Sequence, residues 1–135
     1  MLDTAPNADQ TASLAARSAD FVLIPCRAAA FDLEAIETTL LLTKAAGRPA
    51  YVALNAVPPR SGIGKAAAGL TGRGARVAPL QMTQRAACGH SVFDGRTAPE
   101  FEPGGKAADE VLELYNWVCG CVDMPTSGRP KKKAA

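Results

Sequence analysis

Asp20-Phe21-Val22-Leu23-Ile24-Pro25-Cys26-Arg27 is a short apolar run that stops at a proline and a charge. A run of this length reads as a strand. It does not alternate apolar with polar residues, so it suits the middle of a parallel sheet covered by helices on both faces better than a half-exposed antiparallel one. In open α/β sheets ligands sit beyond the carboxyl ends of the strands. Pro25, Cys26, Arg27 and the matching ends of neighbouring strands are therefore the first place to look for chemistry.

On either side of this run the chain alternates helix with strand. Upstream, Met1-Leu2 looks like the tip of a strand closed by Asp3 and a turn, and Asn7 caps a helix to about Ala19 with Gln10 as its reciprocal partner. Downstream, Asp32 is the expected N-cap of a helix whose Leu33, Ile36 and Leu40 keep helical spacing up to Lys44. Gly47 and then Pro49 end it, the order expected of a left-handed C-cap glycine followed by a residue that cannot continue the helix. A second continuous apolar strand runs from Ala50 to Val57, with its one polar member, Asn55, near the carboxyl end, and Pro58-Pro59 breaks it. A glycine-rich helix within residues 61–72, a strand from Arg76 to Met82, a short helix up to Phe93 and a helix from about Lys106 to Cys119 complete the pattern. On the last helix Val111, Leu114, Tyr115 and Val118 share a face. This order predicts an α/β fold: a three-layer, doubly wound, mostly parallel sheet. With about three strands and a chain that enters at a strand tip, the sheet is expected to be incomplete, the N-terminal half of the fold missing.

At 135 residues and 47% hydrophobic, the chain has enough apolar material for one domain with a real core. That domain is expected over residues 1–125. Residues 126–135 carry no apolar residue larger than alanine and read as a disordered basic tail. The formal charge is +2, but Arg129, Lys131, Lys132 and Lys133 stand in that tail without acids, so removing them leaves a body near −2. The apolar stretches fall short of the ~20 residues of a membrane helix, and no basic segment followed by an apolar one opens the chain. A cytoplasmic protein, with no membrane partner, is expected. Cys26, Cys88, Cys119 and Cys121 are scattered and His90 is the single histidine, which fits reduced thiols rather than a zinc or disulfide framework.

Ser61-Gly62-Ile63-Gly64-Lys65-Ala66 follows a strand and opens a helix, as a phosphate loop does. It fails the pattern at both ends. Pro59 stands where the first glycine is needed and Ala66 where a Ser or Thr must hold magnesium. A flexible glycine-rich turn is the better reading.

Three other segments say more in combination: Asp3-Thr4-Ala5-Pro6, then Ala19-Asp20-Phe21-Val22-Leu23-Ile24-Pro25-Cys26-Arg27, then Val52-Ala53-Leu54-Asn55-Ala56-Val57-Pro58-Pro59-Arg60. In order and spacing they resemble the ParA/MinD family of partition ATPases. In that family an Asp-Thr-Pro-Pro or similar tetrapeptide ends the magnesium-binding strand, a strand ending in Ile-Pro follows, and a later strand ends in an asparagine that contacts adenine. The similarity continues through Gln84-Arg85-Ala86-Ala87, Glu100-Phe101-Glu102-Pro103 and the last helix, covering Asp3 to about Val118. The resemblance implies ATP and Mg2+ as cofactors. It implies that Asp3 holds a magnesium-bound water, a task suited to a carboxylate facing phosphate oxygens. Asn55, with Pro58 nearby, would line the adenine pocket, its carboxamide offering a donor and an acceptor to the purine edge. The alternative readings are a helix-capping acid for Asp3 and a buried asparagine satisfied by backbone groups for Asn55. The family's phosphate loop, with its catalytic and dimer-bridging lysines, has no counterpart here, so the chain alone is not expected to hydrolyse ATP.

Two functions follow. One is the C-terminal portion of a ParA-like, P-loop ATPase for plasmid or chromosome segregation, retaining part of an ATP site and acting with a partition partner protein. The other is a non-catalytic module derived from such an ATPase that binds nucleic acid or protein. Arg60, Lys65, Arg73 and Arg76 lie in a stretch free of acids, and with Lys131, Lys132 and Lys133 they are the candidate contacts for nonspecific DNA. A solvated surface and a solubilising tail is the plainer reading of the same charges. The incomplete sheet further implies self-association or a partner that supplies the missing strands.

Overall fold

A computed structural model describes residues 1–5, 10–61 and 64–122. Three strands, β1 (Val22–Arg27), β2 (Ala50–Val57) and β3 (Val77–Thr83), form one parallel sheet in the order β1-β2-β3. Helix α1 (Gln10–Ser18) precedes β1, α2 (Ala30–Ala46) joins β1 to β2, and α3 (Gly64–Gly72) joins β2 to β3. Three helices follow: α4 (Ala86–Phe93), α5 (Ala98–Phe101) and α6 (Lys106–Val122). The fold is therefore α/β, an open all-parallel sheet of three strands flanked by helices, incomplete as the sequence implies.

Alternation along the strands decides what each face meets. Ile24 and Cys26 from β1 and Val52 and Leu54 from β2 gather with Ile36 of α2 and Ala66 and Leu70 of α3 into the main core. Tyr51, one residue from Val52, points to the opposite face. There it stacks on Phe21 with ring centroids 5.7 Å apart and meets Trp117 of α6 edge-on at 5.2 Å. Helices thus lie on both sides of the sheet, and Val52, Ala53 and Leu54 of β2, the middle strand, are buried. A smaller cluster of Ala87, Ala98 and Ala107, with Phe101 and Val111 against it, packs α4, α5 and α6 together.

Several local expectations shift. Helix α2 starts two residues before Asp32: extended Ala29 (φ −103°, ψ 148°) is its N-cap, and Asp32 lies in the first turn, where its charge favours the helix dipole. Its other end is as expected. Gly47 is left-handed (φ 66°), its N–H donates to the Lys44 carbonyl at 3.0 Å, and the Arg48 N–H donates to the Thr43 carbonyl at 3.4 Å, which together make a Schellman motif. Residues 1–5 are exposed and irregular, so Met1-Leu2 is not a strand tip. Helix α5 lies outside the predicted pattern, although Thr97-x-x-Glu100 has the form of a capping box. The Thr97 N–H and hydroxyl both donate to the Glu100 carboxylate, at 2.8 and 2.7 Å. Of the face expected on α6, Val111, Leu114 and Val118 are half-buried, whereas Tyr115 points outward, 64% exposed, and Trp117 docks on Phe21 and Tyr51 instead. Asn7, Gly62, Ile63 and the tail with Lys131, Lys132 and Lys133 lie outside the described residues.

Candidate functional site

The carboxyl ends of the three strands enclose a cleft of about 300 Å³, lined among others by Arg27, Asn55, Thr83, Arg85 and Cys88. Each strand contributes to it from its last three residues, the end where open parallel sheets bind ligands. Its middle wall comes from a break in the ladder. The pairing of β2 with β3 shifts register after Leu54, and Ala56 takes a left-handed backbone conformation with φ 49°. Beyond the break, the Gln84 N–H donates to the Val57 carbonyl at 2.8 Å and ties the loop after β3 to the end of β2.

Asn55 is exposed at this rim, so its buried reading is overturned. Its Oδ1 accepts the Ala56 N–H at 2.8 Å. That bond fixes the carboxamide at the kink and uses one lone pair of its oxygen, leaving the NH2 group as a donor.

The opposite wall is held by an acid from α6. Glu110 accepts from the Thr83 N–H at 2.9 Å, the Thr83 hydroxyl at 2.8 Å and the Arg85 guanidinium at 2.6 Å. Burial pushes the Glu110 carboxyl up, but the hydrogen bonds from Arg85 and Thr83, together with the Arg85 charge, outweigh it and hold the group below the ordinary carboxylate range. Reciprocally, the hydrogen bond to Glu110 raises the Arg85 pKa. This clasp fixes Arg85 at the lip, and Arg27, exposed at the end of β1, is the other arginine lining the cleft. Chemically the cleft offers two guanidiniums and a carboxamide donor, a set that suits a planar, acceptor-rich ligand.

Of the residues singled out from sequence, Asn55 and Arg27 meet at this cleft. Cys26 does not: its side chain is buried on the α2 side of the sheet, and burial, followed by the nearby Asp32, pushes the thiol pKa up, which makes it inert. Pro58 is exposed past the end of β2, where its carbonyl accepts the Ser61 hydroxyl at 2.7 Å. Asp3 stands in the exposed segment before α1, and among the described residues no three metal-capable side chains gather. Among the described residues, then, the strand ends bring together no group of side chains that could hold a metal-bound triphosphate. Thr83, Arg85, Cys88 and Glu110 are functional candidates that only the fold brings out. Glu110 gives a faint signal in the sequence, as an acid beside the apolar positions of α6.

The basic residues divide between the two ends of the sheet. Arg60 (left-handed, φ 64°) and Lys65 are exposed beyond the carboxyl end of β2. Arg73 and Arg76 lie at the other end, where with Lys44 and Arg48 they line a hollow of about 600 Å³ whose one acidic lining residue among those described is Glu37. Three of these cations are already held: Arg73 by Glu37 at 3.0 Å, Arg48 by the Arg17 carbonyl at 2.9 Å, and Arg76 over the Tyr51 ring at 5.9 Å. Among the described residues no helix is long and apolar enough to cross a membrane. No protein-family model matches this chain, and no curated protein does.

Proposed function

We propose that this chain is the C-terminal portion of a ParA-type partition ATPase and that the cleft at the strand ends receives the adenine of ATP. The observation that carries this is Asn55, at the end of the middle strand, anchored on the Ala56 N–H with its NH2 free beside Arg27 and Arg85. A purine presents ring-nitrogen acceptors at its edge, and the two guanidiniums offer planar stacking partners. The 135 residues carry no phosphate-loop sequence pattern, so they bind nucleotide weakly by themselves and turnover stays at background. Calorimetric or NMR titration with ATP tests this. Asn55→Ala is expected to weaken binding about tenfold, equal to ~1.4 kcal/mol. An unchanged affinity, or robust magnesium-dependent hydrolysis by the pure chain, would defeat the reading.

The basic hollow at the opposite end favours a second reading, nonspecific binding to a nucleic-acid backbone. Lys44, Arg48, Arg73 and Arg76 form one patch against a single acid. Affinities for unrelated duplexes should be alike and fall with salt, and Lys44→Ala with Arg76→Ala should lower the slope of log affinity against log salt by about 0.9 for each phosphate no longer neutralised. A slope that these changes leave intact would place any binding elsewhere.

A further inference from the structure

The basic hollow at the amino ends of β2 and β3 is only half basic. Part of its lining is a stripe of α2, where Glu37, Leu40, Leu41 and Lys44 follow one another at helical spacing, and part is the turn from α3 into β3 with Arg73 and Arg76. Pro49 and Ala50, where the chain enters β2, also line it. The Arg73–Glu37 ion pair at 3.0 Å ties the two parts together and cancels their charges, so Lys44, Arg48 and Arg76 carry the net charge.

The α2 dipole accounts for cations at its carboxyl end, with Lys44 in the last turn and Arg48 just beyond the Gly47 cap. It does not account for Leu41. That leucine is 67% exposed although it lines a concavity, and Leu40, Pro49 and Ala50 add to the apolar lining. The volume, about 600 Å³, falls within the about 300–1,000 Å³ of sites that bury a small ligand, more room than contact with a phosphate backbone from outside requires.

A duplex turns sugar and phosphate outward and keeps the faces of its bases stacked inside, so it meets the cations and leaves Leu41 in water. An unpaired strand carries the same phosphates and can swing out a base, whose apolar face covers the leucine. Three of the four cations are arginines, whose planar fork matches phosphate oxygens. We infer that the hollow receives one unpaired nucleotide of a single-stranded nucleic acid, its base against Leu41 and its flanking phosphates on Lys44, Arg48 and Arg76. This rests on the nucleic-acid reading of the hollow and adds the form of nucleic acid it takes.

The test compares two labelled probes by fluorescence anisotropy at one salt concentration: a strand of ten thymidines and an abasic strand with the same number of phosphates. Thymine keeps purine binding at the strand-end cleft out of the measurement. The thymidine strand is expected to bind about tenfold tighter than the abasic one. Leu41→Ala keeps a good helix former at an exposed position, so the thermal melt should stay close to that of the parent. It should bring the thymidine strand down to the abasic affinity, and leave unchanged both the salt slope and the affinity for a duplex of the same length. Equal binding of the two strands by the parent overturns the inference, as does a folded Leu41→Ala chain that keeps the tenfold preference or that loses duplex and single strand alike; in each case the backbone reading stands. A salt slope insensitive to Lys44→Ala with Arg76→Ala overturns that reading and the inference with it.

Discussion

Ala56 carries strain where a ligand would touch the chain. A left-handed backbone costs a residue with a Cβ about 1–2 kcal/mol, and here φ is 49°. The hydrogen bond from its N–H to Asn55 offsets part of that cost and sets the direction of the carboxamide. Replacing Ala56 with glycine relieves the strain but adds freedom to the unfolded chain, so denaturant unfolding should show a net gain of about 0.5 kcal/mol. The same change loosens Asn55, and affinity for ATP should fall while stability rises. A variant that loses stability would mean the kink is not strained. Neither the kink nor the anchoring bond is legible in Leu54-Asn55-Ala56-Val57, because the register break between β2 and β3 that creates them is a tertiary event.

Between elements, the Glu110 clasp joins α6 to the end of β3 and sets one wall of the cleft. Glu110→Gln keeps the shape but gives up a charge-assisted bond to Arg85, and stability should drop by about 2 kcal/mol. Because the folded Glu110 carboxyl sits below its ordinary value, its contribution is complete above the unfolded carboxylate pKa of about 4.3 and disappears as pH falls through the lower folded value. The gap between parent and Glu110→Gln should therefore close on acidification below about pH 4, as followed by urea midpoints across pH. A gap that persists in acid would assign the loss to packing. Elements such as β2, Ala50–Val57 throughout, and the Gly47 stop are legible because apolar runs and a φ-positive glycine are local signals. The start of α2 is not, since Asp32 reads as well in a first turn as at a cap. Nor is the inward turn of α6, fixed by Trp117 meeting aromatics from two distant segments.

For the whole molecule, β1 is an edge strand of the sheet among the described residues. Read from sequence, Pro25 stops a strand, whereas the strand in fact runs through it to Arg27. That proline is a guard on an exposed ladder. Pro25→Thr restores the donor and adds a β-former, so light scattering over a concentration series should show assembly that the parent lacks, while the thermal midpoint at low concentration changes little. Equal scattering from both would mean that the outer side of β1 is covered. Burial is divided between the sheet core and the small alanine-rich cluster of α4 to α6, and the aromatic contact of Trp117 with Phe21 and Tyr51 is one of the joints between them. Trp117 is also the single tryptophan of the chain. Its emission therefore reports one joint rather than the average fold: when α6 undocks, the indole loses its packing against Phe21 and Tyr51 and meets water, which shifts its emission to the red. An unfolding curve read in this colour tracks the release of α6, and its separation from the circular dichroism curve measures how independently the last three helices let go of the sheet.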